Sequence, residues 1–313
     1  MCCTIFFGWQ VYGGVCEIAA ELKKTYLMTE RHSHFSRTDF YVGGLPTYIH
    51  GLAEVSQSRL PISVLFLLHG RQGSSNDLTP FVQALLESAA AVQDPKMDLL
   101  VVTFDHRNHG HRKVQDLANG SWSSGNQLHA QDMLSIQYGT ATDVSLLVDF
   151  LPSYLFPNDQ RKIELWGCAG VSLGGHSTWM VLRHEPRISI GIPIIGCPDY
   201  IALMSHRARK ASLGFCSPHL PKSLIKTIKR LNAASNEGLE SMSDKKILVL
   251  SGKDDQIVPW PCSETFVSKL PDVHKKIVLY EGVGHELTHL MINETCKWID
   301  CFLVQGEHLT ERL

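Results

Sequence analysis

No charge of one sign dominates this chain: 29 Lys and Arg stand against 31 Asp and Glu, a net of -2. That balance gives no global field to draw in nucleic acid or an anionic membrane surface, so neither is expected as a partner. The cysteines lack both a CxxC pair and a Cys/His metal spacing. All nine (Cys2, Cys3, Cys16, Cys168, Cys197, Cys216, Cys262, Cys296 and Cys301) are scattered and odd in number. They read as free thiols of a reducing compartment, by default the cytoplasm, and not as a secreted disulfide framework. Internal repeats are also missing, which excludes solenoid architectures.

Charged residues make up only 19% of the chain against 44% hydrophobic, enough apolar material for a sizeable buried sheet and too much for disorder. The start is the most apolar stretch, with Ile5, Phe6, Phe7, Trp9 and Val11 in residues 2–20. No basic residue precedes it, as a signal peptide would require. Gly8, Gln10, Gly13, Gly14 and Glu17 interrupt it, so a membrane span is not expected. Residues 1–24 are read as a docking segment or an oligomer contact, which leaves a homo-oligomer open.

Apolar runs of strand length alternate with helical stretches, the pattern of a mostly parallel sheet covered on both faces. Residues 39–42 and 47–52 predict an antiparallel hairpin around Gly43, Gly44 and Pro46. Further strands are expected at 64–68, 99–104, 163–166, 188–195, 247–250 and 276–279. Helices are expected at 78–92, 140–150, 174–184, 261–270 and 286–303. At 313 residues the chain is long for one domain. A single α/β domain over 25–313 is expected, with an inserted helical cap at 197–245. The insertion breaks the alternation, is basic, and contains Pro198, Pro218 and Pro221. Placed after a late strand, it would sit over the carboxyl ends of the parallel strands, where such sheets place ligands.

The sharpest motif is Gly170-Val171-Ser172-Leu173-Gly174, a GxSxG sequence between a predicted strand and a predicted helix. Two glycines allow a tight turn that exposes the Ser172 hydroxyl at a helix N-terminus. A serine hydroxyl is a weak nucleophile until a base takes its proton, and that base must be oriented by a carboxylate. Asp255 lies in Gly252-Lys253-Asp254-Asp255, after the strand at 247–250. His285 lies in Gly284-His285-Glu286, after the last strand. Asp254 is the alternative acid and His289 the weaker base. The oxyanion of a tetrahedral intermediate needs preorganised donors, worth about 3 to 4 kcal/mol each. The backbone N–H groups of Leu173 and Arg71 are assigned to it, with Gln72 as the neighbouring alternative.

His69-Gly70, the DHRNHG run from Asp105 to Gly110, GVSLGG from Gly170 to Gly175, GKDDQIVP and Gly284-His285 together resemble the α/β-hydrolase superfamily over nearly the whole chain. Within it, the compact sheet and late insertion are similar to the dienelactone-hydrolase-like and acyl-peptidase-like serine esterases. The order Ser172, Asp255, His285 is that of this fold. The stretch 105–132 is richer in polar and aromatic groups than a plain hydrolase loop. Trp122, Asn126 and His129 are candidates to line a substrate pocket, or to support the Asp105 turn instead. His106, His109, His111 and Asp132 lack any ordered metal-ligand spacing, so no metal is expected.

The resemblance implies a serine hydrolase that cleaves a carboxylic ester or thioester of a small acyl substrate through an acyl-enzyme, with no cofactor. The alternatives are acyl transfer, carbon-carbon cleavage or cyclisation in the same cavity, and a catalytically silent binding protein.

Overall fold

The structure, a computed structural model, describes residues 35–307; the apolar segment 1–24 lies outside them. Eight strands form one sheet in the order β1-β2-β4-β3-β5-β6-β7-β8. The predicted hairpin is β1 (Arg37–Val42) with β2 (Leu45–His50), turned at Gly43 and Gly44, both with positive φ. β2 runs antiparallel to β4 (Asp98–Phe104). All later pairings are parallel: β3 (Ile62–Leu68) with β4 and β5 (Ile163–Val171), then β6 (Ile188–Ile194), β7 (Lys246–Gly252) and β8 (Lys275–Tyr280).

β3 is buried at every position, as expected of a strand covered on both faces. Its side chains alternate between two cores. Val64, Phe66 and Leu68 join the cluster under α2 (His129–Leu155) and α3 (Leu173–His184). Leu65 and Leu67 join the cluster under α1 (Thr79–Ala91) and, later in the chain, the helix His289–Ile299. This period-two division makes the sheet a rigid wall whose carboxyl ends can hold loops in fixed places.

Two helices differ from expectation. α2 begins at His129, some ten residues before the predicted start. Ala130, Met133, Leu134 and Gln137 already form a buried helical stripe there. Polar residues and Gly139 obscure that stripe in the sequence; the Arg107 side chain lies over Gly139, where a Cβ would come within 2.5 Å of its Cδ and displace it. The last helix starts at His289 because Thr288 caps it, its hydroxyl accepting from the Met291 N–H.

Between β6 and β7 lie α4 (Tyr200–Lys210), α5 (Lys222–Leu231) and α6 (Asn236–Ser241), followed after β7 by α7 (Pro261–Val267). The helix His289–Ile299 is then α8. Asp199 caps α4 by accepting from the Ile201 and Ala202 N–H groups, and the Tyr200 hydroxyl donates to the Ala130 carbonyl at 2.6 Å. Leu203, Met204, Leu224 and Ile228 extend the α2/α3 core into this insertion. Among the described residues no helix is long and apolar enough to cross a membrane.

Candidate active site

Ser172 sits directly after β5 with φ 54 and ψ -105, a backbone conformation that costs an L-residue energy and survives only where its surroundings enforce it. The neighbouring glycines supply that enforcement. A Cβ on Gly174 would lie 2.2 Å from the Leu68 carbonyl oxygen, and one on Gly170 would lie 2.4 Å from the Gly174 carbonyl carbon. Backbone bonds lock the turn: Ser172 N–H to the Ile194 carbonyl at 2.9 Å, and Gly174 N–H to the His69 carbonyl at 3.0 Å. The next residue on β6's side, Ile195, also has positive φ (44), and Gly196 there fits against Gly175 with no room for a side chain. Sequence reasoning missed this second strained turn, since Ile is not a residue expected at positive φ.

The Ser172 hydroxyl is 2.8 Å from His285 Nε2, and His285 Nδ1 is 2.7 Å from Asp255 Oδ2. A carboxylate only accepts, so Nδ1 carries the proton and Nε2 presents its lone pair to the serine. Asp255 is 1% exposed. Burial opposes its ionisation, but the bonds from His285 and from the Val258 and Ile257 N–H groups outweigh burial and hold its carboxyl below the usual range. Asp254, the alternative acid, is exposed, and its N–H donates to the Val283 carbonyl. His289 is exposed at the first position of α8. The structure thus brings Ser172, His285 and Asp255 together and leaves Asp254 and His289 apart.

Leu173 opens α3, where the first N–H groups have no intrahelical acceptor. Gly70 reaches the same point from the end of β3: a Cβ on it would lie 3.7 Å from the Val171 carbonyl and 4.0 Å from Ser172 Cβ. Arg71 follows it in a turn closed by Gly73 N–H to the Gly70 carbonyl, with Gln72 at φ 66. The loop carrying Arg71 therefore lies against the turn carrying Leu173.

What fixes that loop is a set of histidines. His69 Nδ1–H donates to the Gly70 carbonyl at 2.7 Å, and its Nε2 accepts from the His106 N–H at 3.1 Å. His106 Nε2–H donates in turn to the His69 carbonyl at 2.8 Å, the acceptor that also holds Gly174. Burial is the main cause that lowers the pKa of His69 to about 4 and that of His106 well below its ordinary range, so both rings stay neutral. The DHRNHG run wraps around Asp105, whose carboxylate accepts from the Ser75 and His111 N–H groups. The sequence marks His106 as part of the DHRNHG run but gives it no role of its own. Its position on the residue after a strand-end aspartate was the available signal for a supporting role.

The three pocket candidates separate. Asn126 is 3% exposed and fully engaged within its own loop, bonding Ala118, Gly120, Asp132 and Leu128. Trp122 and His129 instead pack edge to face, ring centroids 5.2 Å apart, and His129 Nε2 faces Arg207 of α4 at 3.4 Å.

No protein-family model matches the chain. Over 145 residues, 44% of the chain, it is 19% identical to YitV of Bacillus subtilis (strain 168), a protein provisionally named an esterase, of whose length the match spans 57%. Solved structures resemble far more of it. TT1662 from Thermus thermophilus superposes with a TM-score of 0.64 at 18% identity, covering 86% of this chain and 98% of that one. Pyrococcus horikoshii acylaminoacyl peptidase gives 0.58 at 13% identity over 90% of this chain and 43% of that one. Est1E from Butyrivibrio proteoclasticus, solved with ferulic acid bound, gives 0.55 at 16% identity over 85% and 97%. Sheet order, strand-end loops and these likenesses agree: the chain has the α/β-hydrolase fold.

Proposed function

We propose that this protein is a serine ester hydrolase in which Ser172 is the nucleophile, His285 the general base and acid, and Asp255 the residue that orients His285. The observation that carries the reading is the continuous hydrogen-bonded relay from Ser172 Oγ through His285 to the buried Asp255 carboxylate. His285 Nε2 takes the hydroxyl proton as Ser172 Oγ adds to the acyl carbonyl. The resulting oxyanion is held by the Leu173 and Arg71 N–H groups. His285 then returns the proton to the departing alcohol or thiol, and water repeats the cycle on the acyl-enzyme to release the acid.

Fold likeness to proteins named as esterases and a peptidase supports acyl chemistry over a silent binding role. An intact relay supports it further, since a silent hydrolase fold has no use for a serine in a strained backbone. Esters and thioesters place a good leaving group on the same carbonyl, so both fall within the proposal. The helical insertion at 197–245 is proposed to act as the cap that shapes the substrate cavity. All six cysteines among the described residues are free thiols, which supports a reducing compartment such as the cytoplasm.

A panel of matched aryl esters, thioesters and amides tests the proposal. The expected order is ester, then thioester, then amide, with Ser172→Ala lowering ester turnover by at least about a thousandfold. Native-level turnover in Ser172→Ala would contradict it.

A further inference from the structure

Where α4 of the insertion meets the start of α2, four polar side chains, Arg207, His129, Trp122 and His219, cluster with no ion pair to a carboxylate among the described residues. Arg207 projects from α4 of the insertion, half-buried, with its guanidinium Nη1 3.4 Å from His129 Nε2. His129 Nδ1–H donates to the Gly120 carbonyl at 2.8 Å, so its Nε2 is the accepting lone pair and the ring is a neutral rest for the arginine. Trp122 packs against that imidazole and, at 6.0 Å, against His219. The indole N–H of Trp122, a residue 7% exposed, has no acceptor among the described residues, and neither has His219 Nδ1 a partner there.

The nearby acids are all engaged elsewhere. Asp132 accepts from Asn126, Asp199 caps α4 and holds Asn232, and Asp255 holds His285. Among the described residues Arg207 forms no ion pair, although buried or half-buried arginines are ordinarily matched with carboxylates. The surroundings reinforce the excess of positive charge. Burial, then the positive charge of Arg71 on the oxyanion loop, bring the Arg207 pKa down to about 10, and it stays cationic at neutral pH. Burial, then the charges of Arg207 and Arg71, bring His129 down to about 3. Lys210, at the end of the same helix, donates to the Gln256 carbonyl at 3.4 Å, so α4 lies against the loop that carries Asp255.

Buried donors without a partner beside an unpaired guanidinium are what a bound anion would satisfy. Resting on the ester-hydrolase reading, we propose that Arg207, with the Trp122 indole N–H, binds a carboxylate carried by the substrate, so that the preferred ester has a second, anionic end. The planar guanidinium suits a carboxylate better than a point charge would, and His129 keeps it oriented in the absence of substrate.

The test compares esters that differ only in the distal charge. On the acyl side, the para-nitrophenyl monoester of glutarate is set against para-nitrophenyl valerate. On the alcohol side, para-acetoxybenzoate is set against para-acetoxytoluene. Rates are expressed per serine titrated with a fluorophosphonate. The native chain should favour the anionic member of at least one pair in kcat/KM by about tenfold to a hundredfold, the range of a charge-assisted hydrogen bond. Arg207→Gln should lower that preference by about tenfold, and Arg207→Lys should retain part of it. Equal rates within both pairs, or a preference that survives Arg207→Gln, would overturn the proposal. Failure of the native chain to take up the fluorophosphonate would instead sink the triad. The anion site would then still be read by glutarate: a rise in the native Tm that Arg207→Gln loses supports it, and no rise in the native protein overturns it.

Discussion

Asp255 divides its carboxylate between two tasks, Oδ2 for the His285 ring and Oδ1 for the Ile257 and Val258 N–H groups. The first sets the tautomer of the base, and the second fixes the loop that carries the acid. Asp255→Asn can still accept the backbone donors through its amide oxygen, but it would turn an NH2 toward His285 Nδ1 and favour the wrong tautomer. The expected result is a fall in kcat of about ten-thousandfold with the fold retained. Asp254→Asn should leave kcat at the native level, because that side chain is exposed. Steady-state kinetics with an activated ester checks both. A loss in Asp254→Asn with native kcat in Asp255→Asn would move the acid to Asp254. Sequence alone favours Asp255 and keeps Asp254 as the alternative, since both occupy one loop; burial and the bond to His285 separate them.

Among the elements, the strands were readable because the parallel sheet demands continuous apolar runs, and β3 to β7 supply them. The turn carrying Ser172 was readable for a related reason: Gly170 and Gly174 are the residues that the Gly174 and Leu68 backbones leave room for. The long α2 was not, because its first three turns carry His129, Gln131, Asp132 and Gln137 on an otherwise helical stripe. His129 and Asp132 bond the loop before the helix, at Gly120 and Asn126, Gln131 reaches Pro218 of the insertion and Gln137 is buried; a sequence pattern cannot separate a polar interior from a polar surface. The same limit explains Asn126, predicted for the pocket and found organising its own loop, and Arg207, which drew no attention within a basic insertion. His69 and His106 show it as well. Their value lies in mutual bonds across 37 residues of chain, a pairing visible only once β3 and β4 are adjacent.

For the molecule as a whole, buried neutral histidines couple stability to pH. Burial is the leading cause that brings His50 and His69 down to about 4 and His129 and His176 to about 3, and His106 lies well below its ordinary range. In the unfolded chain each ring titrates near about 6.5, so between there and the folded values the unfolded state binds more protons. Stability is therefore fully present above about pH 6.5 and falls as pH drops toward about 4, by up to about 1.4 kcal/mol per pH unit for each such ring. Urea unfolding should show a steady midpoint from about pH 8 to 7 and a steep decline below about 6.5. A midpoint unchanged down to about pH 5 would mean that these rings are charged or solvated in the native state. The claim on which the functional account turns is that one serine in the whole chain is activated. The direct measurement is the intact mass of the native protein and of Ser172→Ala after brief exposure to a fluorophosphonate. The account predicts a single stoichiometric adduct on the native chain and none on the variant; an unmodified native chain, or an adduct that persists in Ser172→Ala, would contradict it.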